Sequence, residues 1–184
     1  MPYVSGKNIH ITGNRQSEKY FTKQYARDMF VFSAIDKEVE RLYGKLSDTA
    51  AIHIRRTDYV EPKRWYRSLT EEDVLKVREI FPEDDFIIFS DDIEWCKEKF
   101  ANMNFRFAVK NDSKYDDSLI EFAAMRQCMA LIMSNSTFSW WAAYLSERPG
   151  HLTVYKKPWF TYESESDIIP DDSKWITFEE FLKL

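Results

Sequence analysis

Short apolar runs alternate along this chain with longer amphipathic stretches, and that alternation restricts the fold more than any other feature. The runs are 50–54, Phe86-Ile87-Ile88-Phe89, 105–109, Ala130-Leu131-Ile132-Met133 and 152–155. Neighbouring side chains on a strand point to opposite faces, so a run apolar at every position needs cover on both sides. The intervening segments read as helices. Ser17 opens one that extends to about Phe30, and another spans Ala34 to Tyr43, where Gly44 can end it. Thr70 with Asp73 three residues on forms a capping-box pattern for a helix to Ile80, which Pro82 stops. Further helices are expected over Asp92–Phe100, Ser118–Cys128, Ser136–Ser146 and Phe178–Leu182, while 156–174 reads as an irregular tail that wraps the domain. Strand and helix in alternation predict an α/β architecture, a mostly parallel sheet with helices on both faces.

With 184 residues, one domain with a substantial core is expected. The net charge of −5 argues against a nucleic-acid binder, although basic residues gather at Arg55-Arg56 and at 63–67. Cys96 and Cys128 fall in helical segments and read as neutral thiols in a reducing compartment. The three histidines are isolated from one another and from cysteine, which disfavours zinc. No run has the length of a membrane span and the first residues carry no secretory pattern, so a soluble, cytoplasmic chain is expected. None of the four glycines forms a dinucleotide or Walker loop. Any diphosphate must therefore be held by arginines and a helix N-terminus.

In open parallel sheets, ligands bind beyond the carboxyl ends of the strands, and polar clusters fall at such ends. His53, Arg55, Arg56 and Asp58 follow the first strand. The arginine fork matches phosphate oxygens, against the simpler reading of surface arginines paired to acids. Ser134-Asn135-Ser136-Thr137-Phe138-Ser139 follows the fourth strand and opens a helix, which suits either phosphate or an ordinary cap. Asp91-Asp92 follows the second strand. It could bind a metal, contact ribose or guanine, or cap a helix, and Asp92 is placed as the cap. Glu121 offers a carboxylate to the paired donors of a guanine edge, or is merely a solvated helix residue. Trp140-Trp141, inside a helix, is assigned to core packing.

These segments together resemble the alpha-1,2-fucosyltransferase family. The resemblance rests on Gln16-Ser17-Glu18-Lys19-Tyr20-Phe21, on His53-Ile54-Arg55-Arg56-Thr57-Asp58-Tyr59 and on Phe89-Ser90-Asp91-Asp92-Ile93-Glu94-Trp95-Cys96. It extends through Cys128, the run from Ser134 to Ala143, Pro158-Trp159-Phe160, Ile169-Pro170 and Trp175-Ile176, so order and spacing agree over most of the chain. It implies the Rossmann-like, donor-binding half of a GT-B glycosyltransferase. The implied reaction transfers L-fucose from GDP-fucose to a galactose-type hydroxyl of a glycan, with inversion and without a metal or other cofactor. Arg55 and Arg56 would hold the pyrophosphate with His53 beside them. Ser136, Thr137, Phe138 and Ser139 would bind phosphate, and Glu121 would read guanine.

Two departures from the family pattern stand out. The glycine-rich segment that usually opens the family's first domain is missing, so the N-terminal domain is expected to be absent or strongly reduced, the chain being a minimal version or a fragment, or to be replaced by a partner or by self-association. Glu121 stands where Asp is more usual. Arg56 is expected to stabilise leaving-group charge. Asp58 is the first candidate for a base, with Glu61 and Asp91 behind it. The rival expectations are a non-catalytic GDP-sugar-binding remnant and a fucosyltransferase of alpha-1,6 or protein O-linkage.

Overall fold

The structure is a computed structural model and describes residues 17–57, 66–81, 85–146, 148–161, 168–170 and 174–184. The elements in chain order are α1 (Lys23–Met29), α2 (Ser33–Tyr43), β1 (Thr49–Ile54), α3 (Glu71–Ile80), β2 (Asp85–Ser90), α4 (Ile93–Lys99) and β3 (Arg106–Phe107). They continue with α5 (Asp117–Gln127), β4 (Ala130–Met133), α6 (Thr137–Tyr144), β5 (Leu152–Tyr155), β6 (Trp175–Thr177) and α7 (Phe178–Phe181). The strands form one six-stranded sheet in the order β3-β2-β1-β4-β5-β6, and every neighbouring pair is parallel.

Alternation along the strands divides the core in two. Ala51, Ile87, Phe89, Leu131 and Met133 face a layer built on α2, α5 and α6, whereas Ala50, Ile52, Ile54, Phe86, Ile88 and Ile132 face α3, α4 and α7. The continuous apolar runs thus have the two-sided cover they require. Trp140 is fully buried, stacks on Tyr144 at 4.8 Å and donates its indole N–H to Ile168 O at 2.8 Å, which makes it a core residue. Cys96 and Cys128 are buried, and burial pushes their thiols up to about 11 and about 12.

The capping box is present: Thr70 Oγ1 accepts from Asp73 N, and the Asp73 carboxylate accepts from Thr70 N at 2.8 Å. Gly44 ends α2 at φ 72°, in the left-handed region where a β-carbon is strained. Three expectations need correction. The segment after Ser17 is not one helix. Ser17 caps a 3-10 turn, Glu18–Tyr20, the chain extends at Phe21, and Thr22 caps α1 afresh. Phe21 leaves the helical path to stack on Trp141 at 4.8 Å, so a tertiary contact overrides local propensity. The strand expected at 105–109 shrinks to Arg106–Phe107, because it lies at the sheet edge and pairs only with β2. Beyond the tail, Trp175–Thr177 adds an edge strand beside β5 that three residues could not announce.

Candidate active site

The strand order runs outward in both directions from β1 and β4, so the crossovers leave the sheet on opposite faces at that pair. In sheets of this order the crevice beyond the carboxyl ends of such a pair is the usual ligand position. The arginine loop after β1 and the serine-rich turn after β4 form its two sides.

Backbone hydrogen bonds lock these sides together. Ser134 N donates to His53 O at 2.9 Å, and Ser134 Oγ accepts from Arg55 N at 3.1 Å and from Leu69 N at 3.0 Å. Ser68 Oγ donates to Arg55 O at 2.6 Å and lies 3.0 Å from Ser134 Oγ. Asn135, fully buried, donates its amide to Lys156 O at 2.6 Å and Trp159 O at 3.0 Å, and its backbone N–H donates to Arg67 O at 2.7 Å. The turn after β4 is thereby fixed to the loop after β1 and to the chain leaving β5. Ser134 and Asn135, which the sequence offered only as the start of the strand-end cluster, are the braces of this turn. Their position between the last strand residue and the cap of α6 was the available clue.

Both arginines are held by the loop after β2. Arg55 Nε lies 3.3 Å from Asp91 Oδ2. Arg56 Nε donates to Asp92 Oδ2 at 3.1 Å, and its guanidinium carbon lies 3.6 Å from the centroid of the Trp95 ring. Arg56 is thus gripped by one edge and one face, and among the described residues no hydrogen bond takes up its terminal nitrogens. Those are the pair that can fork onto a phosphate. Asp92 also accepts from Trp95 N and so caps α4 as expected.

Asp91 corrects an expectation. It was a candidate for base and for orienting substrate hydroxyls, but its carboxylate accepts from Arg56 N at 2.8 Å, from Thr57 N at 3.0 Å and from the Thr57 hydroxyl, besides pairing with Arg55. Those bonds outweigh burial, the largest single influence, and hold the carboxyl below the usual range. A carboxylate so committed braces the arginine loop and is a poor proton acceptor. Asp58 and Glu61, the other candidates for base, lie outside the described residues.

The serine-rich turn is also more internal than expected. Ser139 is fully buried and its hydroxyl donates to Ser134 O and Ser136 O, each at 3.2 Å, while Ser136 Oγ caps α6 by accepting from Phe138 N. Ser139 has spent its hydroxyl proton inside the turn, so an anion here would meet the backbone at the start of α6, the half-buried Thr137 and at most the O–H of the buried Ser136. Phe138 packs between His53, at 5.8 Å, and Phe122, at 5.5 Å. His53 is buried, and burial pulls its imidazole down to about 4, so it is neutral at pH 7. Its Nδ1 is buried without a hydrogen-bond partner. It can contribute shape and a hydrogen bond to the crevice but no charge.

Glu121 is half-buried on α5, and its carboxyl is pushed up to about 7, first by burial and then by Asp117, Asp116 and Asp91. Among the described residues no group of three or more His, Cys, Asp or Glu side chains could hold a metal ion, and no helix is long and apolar enough to cross a membrane.

Sheet order and crossover direction define a Rossmann-like α/β protein, in which the switch between β1 and β4 is the candidate ligand position. The chain belongs to glycosyl transferase family 11, whose model matches residues 3–177. It is 30% identical over 94% of its length to an alpha-1,2-colitosyltransferase of Escherichia coli, covering 63% of that protein. It is also 30% identical over 71% of its length to the O-antigen biosynthesis glycosyltransferase WbnK of Escherichia coli, covering 44% of it. Human galactoside alpha-(1,2)-fucosyltransferase 1 is 27% identical over 74% of the chain, which covers 41% of that enzyme. The chain therefore spans between about two fifths and three fifths of the length of these relatives. Among solved structures it is similar to apo POFUT1, with TM-score 0.44 and 14% identity over 67% of this chain and 46% of that one. It is similar also to the Escherichia coli ADP-heptose LPS heptosyltransferase II, with TM-score 0.46 and 16% identity over 84% of this chain and 50% of that one.

Proposed function

We propose that this chain carries the donor site of a GDP-fucose-dependent glycosyltransferase that forms an alpha-1,2 linkage to a galactose-type hydroxyl, with inversion and without a metal. The observation that carries the reading is the guanidinium of Arg56, held on Trp95 and Asp92 with no hydrogen bond to its terminal nitrogens among the described residues, on the loop that Ser134 ties to the turn opening α6. Together they offer a cationic fork and a helix N-terminus to a diphosphate and stabilise charge as it builds on the leaving group. Glu121 supplies the carboxylate that would accept from a guanine edge. A colitosyl donor is the second reading, favoured by the relative matched over nearly the whole chain.

The test is incubation of the pure chain with GDP-fucose and a panel of galactosides, with products read by mass spectrometry. A new fucosyl product with a 2-linked galactose supports the proposal. Binding of GDP without transfer to any acceptor selects a non-catalytic donor-binding module. Transfer only from a dideoxysugar donor selects the colitosyl reading, and product linked at another position overturns the linkage.

A further inference from the structure

The chain leaving β5 carries a largely buried lysine. The side chain of Lys156 is 17% exposed and that of Asp73 is 9% exposed. Lys156 Nζ lies 2.8 Å and 2.9 Å from the two Asp73 carboxylate oxygens, across 83 residues of sequence. It also sits 5.0 Å from the centroid of the Phe178 ring, at the start of α7. Burying two charges costs about as much as their attraction returns, and an apolar pair of similar volume often serves stability as well. Stability alone therefore does not account for this pair. What a buried ion pair can add is one fixed place for both partners.

Both partners have a second task at the carboxyl ends of the strands. The Asp73 carboxylate accepts from Thr70 N at 2.8 Å and from the Thr70 hydroxyl at 2.9 Å, so it fixes the start of α3. Directly before that start, Leu69 N donates to Ser134 Oγ at 3.0 Å and Ser68 Oγ donates to Arg55 O at 2.6 Å. Lys156 N donates to Asn135 Oδ1 at 3.0 Å, and Lys156 O accepts from the Asn135 amide at 2.6 Å. These bonds close a ring, from the turn that opens α6 through Asn135, Lys156, Asp73 and Thr70 to Leu69, and back through Ser134. α3 buries Val74 and Val77 in one core layer, while α6 buries Trp140, Ala142 and Ala143 in the other. Apolar packing within a layer thus cannot set the start of one helix against the start of the other, and the polar ring does.

We infer that Lys156 and Asp73 are a positioning pair for donor binding: their contact fixes the start of α3, and through Ser68 and Leu69 the arginine loop after β1, against the turn that opens α6. This rests on the donor-site reading above. Neither residue is assigned a contact with the donor, and no proton moves. In the sheet, β5 lies beyond β4 from β1. The Lys156 side chain therefore reaches past the end of β4 to a helix that follows β1 in the chain. Because the pair works as one contact, loss of either partner should release the arginine loop, and loss of both should cost no more than loss of one.

The experiment compares the full native chain with Lys156→Met, Asp73→Asn and the double variant. Asp73→Asn keeps an oxygen for Thr70, and so serves alone if Lys156→Met does not fold. Amide hydrogen exchange is followed by NMR at Arg55 and Leu69 in the ring and at Ile88 and Ile132 in the sheet, and GDP affinity is measured by calorimetric titration. The expected result is exchange at Arg55 and Leu69 faster by about tenfold or more beyond any change at Ile88 and Ile132, to the same extent in the double variant. GDP affinity should fall by about tenfold or more in each folded variant. A merely structural pair would speed all four amides together and leave the affinity of the folded chain unchanged. Native GDP binding with equal affinity in the variants, uniform exchange, or additive losses in the double variant overturns the inference and leaves the donor reading standing. A native chain that binds no GDP overturns the donor reading itself and, with it, the positioning role.

Discussion

The guanidinium of Arg56 lies face-on over the indole of Trp95, 3.6 Å from the ring centroid, while its Nε is tied to Asp92 at the head of α4. The arginine is therefore aimed by a residue on a different crossover from its own. A cation over an indole is worth about 0.5–2 kcal/mol, depending on desolvation. Trp95→Leu should weaken GDP binding by roughly threefold to thirtyfold while the fold stays intact, and Trp95→Phe should recover part of the loss. Calorimetric titration checks it, and an unchanged affinity in Trp95→Leu would mean that the stack does not aim Arg56.

Arg56→Lys should fail nearly as badly as Arg56→Ala. An ammonium lacks both the planar face that stacks on Trp95 and the fork that reaches two oxygens. Loss of one preorganised donor to developing charge costs about 3–4 kcal/mol in the transition state, so turnover should fall by roughly two to three orders of magnitude, with thermal unfolding little changed. Near-full turnover in either variant would reduce the arginine pair to a structural role.

Chelation should leave transfer unchanged. Asp91 and Asp92, the pair most suited to a cation, are occupied by Arg55, Arg56 and Thr57 and by the cap of α4. Turnover in EDTA is compared with turnover in added magnesium or manganese. A drop of more than about tenfold, roughly 1.4 kcal/mol, that metal restores would return Asp91 to a ligand role.

GDP affinity should fall as pH drops below about 7, the value to which Glu121 is raised. The charged carboxylate is the form that accepts from guanine, so protonation competes with binding, at up to tenfold per pH unit. The sign for stability is the reverse. A carboxyl with a raised folded pKa stabilises the protonated form, so that contribution is complete below about pH 4.3 and is lost as pH rises through about 7. Glu121→Gln should therefore bind GDP more weakly with a flatter pH profile and unfold at higher temperature than the native chain at pH 8. A native profile that stays flat from pH 5 to 8 counts against the guanine assignment.

Ser134→Ala should destabilise the chain by about 1–3 kcal/mol for each of the donors it strands, Arg55 N and Leu69 N. For a domain of this size each kcal/mol lowers Tm by about 2–4 °C. A change below about 1 °C by scanning calorimetry would show that the two sides of the crevice are not held together by this hydroxyl.

The sequence by itself determined the layers and the address of the candidate site. Phe86-Ile87-Ile88-Phe89 and Ala130-Leu131-Ile132-Met133 have no polar face, so each strand had to be covered twice, and caps such as Thr70 with Asp73 are local chemistry that any reader of the chain can find. Arg55, Arg56 and the serine-rich turn were legible as strand-end clusters for the same reason. Tertiary structure decided what each of those residues does. The break at Phe21 comes from a stack on Trp141, which lies far along the chain, and β6 exists only because β5 offers it an edge. Asp91 turned from candidate base to brace, and Ser139 from anion ligand to internal donor, because hydrogen-bond partners are assigned by proximity in space, and spacing along the chain carries no record of it. The strand order that makes β1 and β4 neighbours is a property of the crossovers, and it alone brings the arginine loop and the turn that opens α6 side by side at one end of the sheet.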